Sequence, residues 1–279
     1  MSWNLNGTNS PSLAVLAVVK GMRAPLDLIA ITQGEKRYLS FLSQSVGIVA
    51  ESDLGTDNIR WMGDARFTYG FLVRLLGKTV YPAEVSVQVV AASKDDVRAL
   101  YNRKRSEEAS ISAKRPEDRE EEAQQDEAEE SLPPLQYGTV NDALPADWET
   151  TDMPTLGNFY AGNMTWMSAD APFFPTALPN DNAMDLVNID GTIPRMQAVR
   201  LLLSVGKNTF FDEPTVNYRK IAGYRIYPRL REGQKEGFIS IDGEKVPFQP
   251  FQAEVIGGLG TVLSKNGAMY EFGGPKEVN

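Results

Sequence analysis

Two acids and two arginines crowd one short stretch of this sequence. Glu51 and Asp53 leave an apolar run of Val46, Ile48, Val49 and Ala50, and Arg60 and Arg66 follow on short helical pieces. Carboxylates and guanidinium groups are thereby brought beside one apolar wall, in a chain with no histidine and no cysteine. Those absences exclude histidine triads, thiolate nucleophiles, and zinc sites built on thiolate or imidazole. Any chemistry must run on Asp, Glu, Lys, Arg, Ser, Thr or Tyr. From Asp64 to Leu76 a helical segment stacks Phe67, Phe71 and Leu75 four apart on one face, as core or as the lining of a pocket. Spacing alone leaves a plainer reading open, in which these charges are ion pairs at the rim of a core.

The elements that must position these groups can be read along the chain. With 279 residues and 42% hydrophobic content the chain can bury one or two cores. No apolar run reaches eighteen residues and no basic-then-apolar leader opens the chain, so an intracellular protein is expected. A net charge of −9 argues against nucleic-acid binding, since nothing neutralises phosphate overall. Ser10 and Pro11 start a helix that ends at Lys20 and Gly21. Its LAVLAVV middle is apolar all round and needs cover on most faces.

Strands are expected at Leu26 to Thr32, Tyr38 to Ala50, Tyr81 to Ala92, Leu156 to Trp166 and Ala183 to Ile189. Further ones follow at Lys220 to Tyr227, Gly237 to Ile241, Ala253 to Ile256 and Gly260 to Leu263. The IGGLG run at 256–260 reads as a turn between the last two. Ile193 to Val205 reads as a helix. Between Arg103 and Glu130 six basic and eleven acidic residues leave a balance of −5. Residues 102–134 therefore read as a charged insert, disordered or a solvated helix, interrupting one domain over 1–279. Many strands with few helices give a mainly β, α+β fold, an antiparallel sandwich with flanking helices. The acids Asp181, Asp185 and Asp190 have no calcium-loop spacing, and no metal site is expected there. Asp242, Gly243 and Glu244 read by themselves as a hairpin turn.

The stretch AESDL...IRWMGDARFTYG resembles the head-group segment of the sphingosine kinases, the sphingoid long-chain base kinases, and is most similar to their fungal branch. TNSPSLAVLAVVKG, FFPTALPNDNAMDLV and FISIDGEKVPFQPFQ carry the same resemblance in the same order, so it extends over nearly the whole chain outside the charged insert. The resemblance implies the C-terminal, lipid-binding lobe of a diacylglycerol kinase-like lipid kinase. Such an enzyme uses ATP and Mg2+ to phosphorylate sphingoid bases at an internal membrane surface, in the cytoplasm or peripheral to membranes.

It further implies that Asp53 holds the amino and hydroxyl head group, a carboxylate being the natural partner of an ammonium. Arg60 and Arg66 would contact nucleotide phosphates, which guanidinium forks bind bidentately. Asp242, Gly243 and Glu244 would return to the nucleotide. Ile48, Val49, Phe67, Phe71, Phe174, Leu178 and Leu202 are candidates for the alkyl-chain tunnel, each with a core role as its alternative. Glu51 stands where many relatives carry Asp. The chain has no GGDG, GTGN or Walker-type run, so the nucleotide loop and the general base are expected on a preceding lobe and this chain alone is expected to be inactive. A diacylglycerol or ceramide kinase relative, a silent lipid-binding module, an unliganded β scaffold and a homodimer all remain open at this point.

Overall fold

In the computed structural model, residues 1–56, 61, 65–112, 132–168, 171–267 and 269–276 are described, those at 65–68 and 109–112 by backbone alone. The chain opens with a short helix α1 (Ser2–Asn6) and the expected α2 (Pro11–Lys20). Gly21, at φ 64°, closes α2 by giving its N–H to Ala17 and Val18, a left-handed position that glycine adopts at no steric cost. β1 (Arg23–Gln33), β2 (Lys36–Ser40) and β3 (Ser43–Gly47) follow. α3 (Ile48–Leu54), α4 (Ala65–Leu76), β4 (Ala83–Ala91) and α5 (Lys94–Ser112) complete the first half. The second half holds β5 (Glu149–Met153), β6 (Leu156–Gly162), β7 (Trp166–Ser168), β8 (Ala171–Pro172) and β9 (Met184–Asp190). It ends with α6 (Arg195–Gly206), β10 (Val216–Pro228), β11 (Ile239–Ile241), β12 (Glu244–Val246) and β13 (Phe251–Leu263).

The fold is mainly β and antiparallel, with few helices. Eleven strands form one hydrogen-bonded sheet, β12-β11-β3-β6-β9-β10-β13-β1-β2, from which β4 branches at β10 and carries β5 at its far side. The branch follows from the length of β10. Its first half, from Val216 to Ile221, pairs with β9. Its second half pairs with β4 on one edge, and Gly223 to Ile226 pair with β13. Two leaves thus share one strand, where separate sheets were expected. Side chains from both leaves meet in one core of Ile29, Val46, Val85, Phe159, Leu186, Tyr224, Ile226, Ile239 and Phe251. A second core, with Ile48, Leu75, Val97, Tyr160, Phe173, Phe174, Leu201, Phe210 and Tyr218, packs the helices onto the sheet.

Several expectations change. The strand expected from Tyr38 to Ala50 is two short strands and the first turn of a helix. Gly47 makes the switch: at φ 115° it adopts backbone that side chains avoid, and a Cβ there would stand 2.6 Å from the Gly157 carbonyl oxygen. The apolar run after it is short enough to suit strand or helix, and the turn at Gly47 selects helix. Ala253 to Ile256 and Gly260 to Leu263 belong to one long strand, because β1 pairs along both and absorbs the glycines in a register shift. The IGGLG run is therefore strand and not turn.

The segment 102–134 also divides. Residues 102–112 complete α5, and Arg105 donates to the carbonyl oxygens of Tyr270 (3.4 Å) and Phe272 (2.9 Å). Asn180 donates to the Glu108 carboxylate at 2.8 Å. Its charged start is tied to the fold by buried-side contacts that composition does not reveal.

Candidate functional site

α3 decides how the acids are used. Helical residues advance about 100° each, so Glu51 and Asp53, two apart, face nearly opposite ways. The strand-exit picture, with both acids on one wall, is corrected accordingly. Gly47 sets the start of α3, and Asn158 fixes it by accepting the Val49 N–H at 3.1 Å.

Glu51 faces α4 and the connection between β10 and β11. Arg231 gives it two hydrogen bonds, 3.1 and 3.2 Å, and Arg74 stands 3.5 Å away. The Arg231 guanidinium also lies 5.0 Å over the Tyr81 ring. Burial alone would raise the Glu51 pKa, yet the hydrogen bonds from Arg231, the nearby Tyr81 phenol and the charge of Arg74 hold it below its ordinary value. The Tyr81 phenol is pushed up, by burial first and by the Glu51 carboxylate second. Glu51 is thus the carboxylate shared by two arginines and is not free to meet a ligand.

Asp53 is half-buried on the other face of α3 and lies within electrostatic reach of the Tyr160 phenol. Burial raises the Tyr160 pKa, the hydrogen bond from Ser43 opposes, and the charges of Asp53 and Asp242 add to the rise. Tyr160 thereby links two predicted site residues that sequence separates widely. Its ring packs against Phe173 and Phe174, with centroids 5.0 and 4.9 Å away.

Asp242 sits at φ 52° in the tight turn between β11 and β12. Its carboxylate closes the β2–β3 turn. Oδ1 accepts from Ser40 Oγ (2.6 Å) and from the N–H groups of Leu42 (3.1 Å) and Ser43 (2.9 Å), and Oδ2 accepts from Phe41 N–H (3.0 Å). Both oxygens take part in this structural clasp. Gly243 and Glu244, beside it, are exposed. Of the remaining candidates, Ile48 and Phe174 lie in the helix-side core, and Val49, Phe71 and Leu202 pack against it. Leu178 is buried outside that cluster. Arg60 lies outside the described residues, as do the side chains of Arg66 and Phe67.

A buried charge network escaped the sequence reading. Lys220, on β10 with no exposed surface, donates to Asp181 at 2.5 Å and stands 3.5 Å from Asp185. Burial works to lower the Lys220 pKa, but the two carboxylates raise it above its ordinary value. Asp185 is pushed up to about 6, chiefly by burial. Asp27 is likewise pushed up to about 6 by burial, and it accepts the N–H groups of Asn182 (2.7 Å) and Gly258 (2.8 Å). Asp181 and Asp185, two of the three clustered acids at which no metal is expected from sequence, thus have a lysine as their cation. Lys220 stands opposite Asp185 in the register of β9 with β10, a pairing that sequence alone does not give.

Comparison with known proteins bears out the resemblance. The chain is 32% identical to sphingoid long chain base kinase 5 of Saccharomyces cerevisiae, over 96% of this chain and 45% of that protein. It is 28% identical to sphingoid long chain base kinase 4 of Schizosaccharomyces pombe, over 94% of this chain and 53% of that one. Sphingosine kinase 1 of Arabidopsis thaliana matches at 25% over 84% of this chain and 44% of its own length. The chain therefore spans about half the length of the curated relatives it matches. No protein-family profile matches it. Two solved structures of a Bacillus anthracis str. Sterne protein described as a diacylglycerol kinase share the fold. One superposes with a TM-score of 0.55 at 14% identity, covering 96% of this chain and 66% of that one. The other gives 0.53 at 13% identity, covering 94% and 63%.

Proposed function

From a chain related through almost its whole length to the sphingoid long-chain base kinases, we infer that it is the lipid-binding half of an ATP-dependent kinase acting on long-chain bases. The observation that carries this reading is 32% identity over 96% of the chain to one such kinase. The position of Asp53 supports it: the acid stands half-buried at the edge of an aromatic and aliphatic core, where an ammonium with a long apolar tail would find both partners. In this reading the sandwich-like pair of leaves is the C-terminal lobe of a diacylglycerol kinase-like protein, and the alkyl chain runs among Ile48, Val49, Phe71, Phe174 and Leu202.

Arg60 and Arg66 hold nucleotide phosphates, and the exposed Gly243–Glu244 turn faces the nucleotide. ATP with its magnesium would supply the phosphoryl group, and the loop and general base that act on it belong to the half of the relatives that this chain does not span. Among the described residues no acidic cluster is arranged for a metal, and Asp242 is committed to the β2–β3 turn. No step is therefore assigned to a metal held by this chain. The apolar face of α2, with Leu13, Val15, Leu16, Val18 and Val19 exposed, packs against that other half. Trp61, Tyr69 and Val73, also exposed, are suited to an internal membrane surface from which a base is drawn.

The test joins the chain to the nucleotide-binding half of the Saccharomyces cerevisiae relative and supplies labelled ATP, magnesium and a long-chain base in mixed micelles. Labelled lipid phosphate is expected from the joined protein and not from the chain alone. Base binding without transfer by the joined protein would favour a silent lipid-binding module. Transfer to diacylglycerol in preference to the base would place the chain with that substrate class.

A further inference from the structure

We propose that the cleft between β4 and α5 docks an extended peptide of a partner protein, which adds a strand to β4 and carries an acidic residue on the C-terminal side of its apolar anchor. The proposal stands apart from the head-group reading. β10 covers one edge of β4 along its length, but on the other edge β5 pairs only from Ala83 to Val87. Among the described residues no strand continues past Val87, so Gln88 to Ala91 present an open edge. Native edges are guarded by charge, proline or a cover, and this one carries Gln, Val, Val and Ala. A bulge adds to the exposure: the register with β10 passes from Val89 directly to Ala91, which leaves Val90 unpaired and 46% exposed.

The open edge lies in a cleft of about 650 Å³, whose other wall is one stripe of α5. Asp96, Ala99, Leu100 and Arg103 recur three and four apart on that helix and line the cleft together with Val89 and Val90. α5 turns back beside β4 after Ser93, so Asp96 marks the Ala92 end and Arg103 the Val89 end. Seven helical residues and three strand steps both span about 10 Å. Size and chemistry together name the occupant. An edge this short cannot bury the roughly 1,200 Å² or more of a stable dimer, which argues against a second copy. The backbone groups of a strand edge are met in full by another peptide backbone, and this length holds about three or four extended residues. An acyl chain would leave the edge and both charges unmet. The charges set the direction. Antiparallel addition, as β5 and β10 already pair with β4, puts the C-terminal side of the peptide at Arg103. Arg103 is 3.9 Å from Glu107 and both side chains are more than half exposed, so an incoming carboxylate takes the guanidinium without breaking a tight pair. Asp96, which caps α5 by accepting from Ser93 Oγ at 2.6 Å, favours a basic residue at the other end.

The experiment is fluorescence anisotropy with the purified chain and a labelled peptide, Lys-Thr-Val-Thr-Val-Thr-Glu. Saturable binding is expected, and exchanging the two terminal charges should weaken it by about fivefold. N-methylation of the amides along one edge of the peptide removes its strand hydrogen bonds and should weaken binding by about tenfold. Arg103→Glu, a change at an exposed side chain, should reverse the preference at the C-terminal end, so that a peptide ending in Lys binds better than one ending in Glu. The peptide variants put the same question to the unsubstituted chain, so the outcome does not depend on that substitution folding. Absence of saturable binding, equal binding of the N-methylated peptide, indifference to the charge exchange, or a preference that Arg103→Glu leaves unchanged overturns the proposal. Two further results would also overturn it. Displacement by long-chain base micelles as effective as by unlabelled peptide means that an acyl ligand fills the cleft. A dimer of the chain alone, seen in sedimentation and dissolved by Val90→Asp, means that a second copy does.

Discussion

Arg231 and Glu51 are joined by two hydrogen bonds, 3.1 and 3.2 Å long, across 180 positions of sequence. The pair ties α3, which carries Asp53, to the connection that leads into the β11–β12 turn and Asp242. Both side chains are largely covered, so removing one leaves the other charge poorly solvated. Glu51→Ala should therefore lower stability by about 2 to 4 kcal/mol, read from urea unfolding. Adding Arg231→Leu should recover part of the loss, because the stranded cation is then gone. A loss under about 0.5 kcal/mol would mean that the pair behaves as an exposed one.

Lys220 offers a sterner case. It is the cation between Asp181 and Asp185, and none of the three side chains is appreciably exposed. Lys220→Met keeps the length of the side chain and removes the charge, leaving two buried carboxylates facing each other. The expected loss is about 3 to 5 kcal/mol. Replacing Asp185 by Asn in the same protein should return a measurable part. Full stability of Lys220→Met would show that the acids are protonated without it.

Stability should also depend on pH in an unusual direction at Asp27, as at Asp185, each raised to about 6. Asp27 is pushed up to about 6 from 3.8, with burial the leading cause. The folded protein then holds a proton that the unfolded chain gives up across that interval. Its contribution is present in full below the interval and is lost as pH rises through it. Glu51, held below 4.5, acts in the opposite sense and only at lower pH. Unfolding free energy measured at steps across the Asp27 interval should fall with a slope that Asp27→Asn makes less negative, by at most about 1.4 kcal/mol per pH unit. Identical slopes for the two proteins would show that Asp27 titrates normally.

The first part of the charged segment should matter to the fold. Arg105 donates to two carbonyl oxygens of the C-terminal stretch, and Glu108 accepts from Asn180. Deleting residues 102–134 removes these contacts and the last turns of α5, so a loss of about 2 kcal/mol or more is expected, with Arg105→Ala accounting for about 1 to 2 of it. Calorimetry of both variants checks this. An unchanged melting temperature on deletion would mean that α5 is held by its first turns alone.

How much was legible in the sequence can be argued residue by residue. Alternation in Ala83–Ala91 and the cap, proline and glycine around Pro11–Lys20 are local signals, and local structure followed them. Glu51 and Asp53 were visible as chemistry but were placed on one wall, because a glycine with positive φ turned an apparent strand into a helix. A short apolar run contains no information about that choice. Asp242 was read as a turn, and it is one. Its four hydrogen bonds to residues some two hundred positions earlier depend on β11 pairing with β3, which no spacing announces. Lys220 was read as the start of a strand, and its carboxylate partners lay unconnected until β9 and β10 were paired.

β10 belongs to both leaves of the sheet, and this bears on how the protein comes apart. Neither leaf can shed its central strand without exposing the core of the other, so partial opening of one leaf alone is penalised by the loss of both. The amides from Lys220 to Ile226 should accordingly exchange with solvent only on global unfolding, and the rims at β2, β5 and β12 should exchange earlier. The same strand pairs segments far apart in the chain, from Ala83 to Phe251. Loop closure must precede most of its contacts, which makes for slow folding and a single cooperative unit in place of two sequential ones.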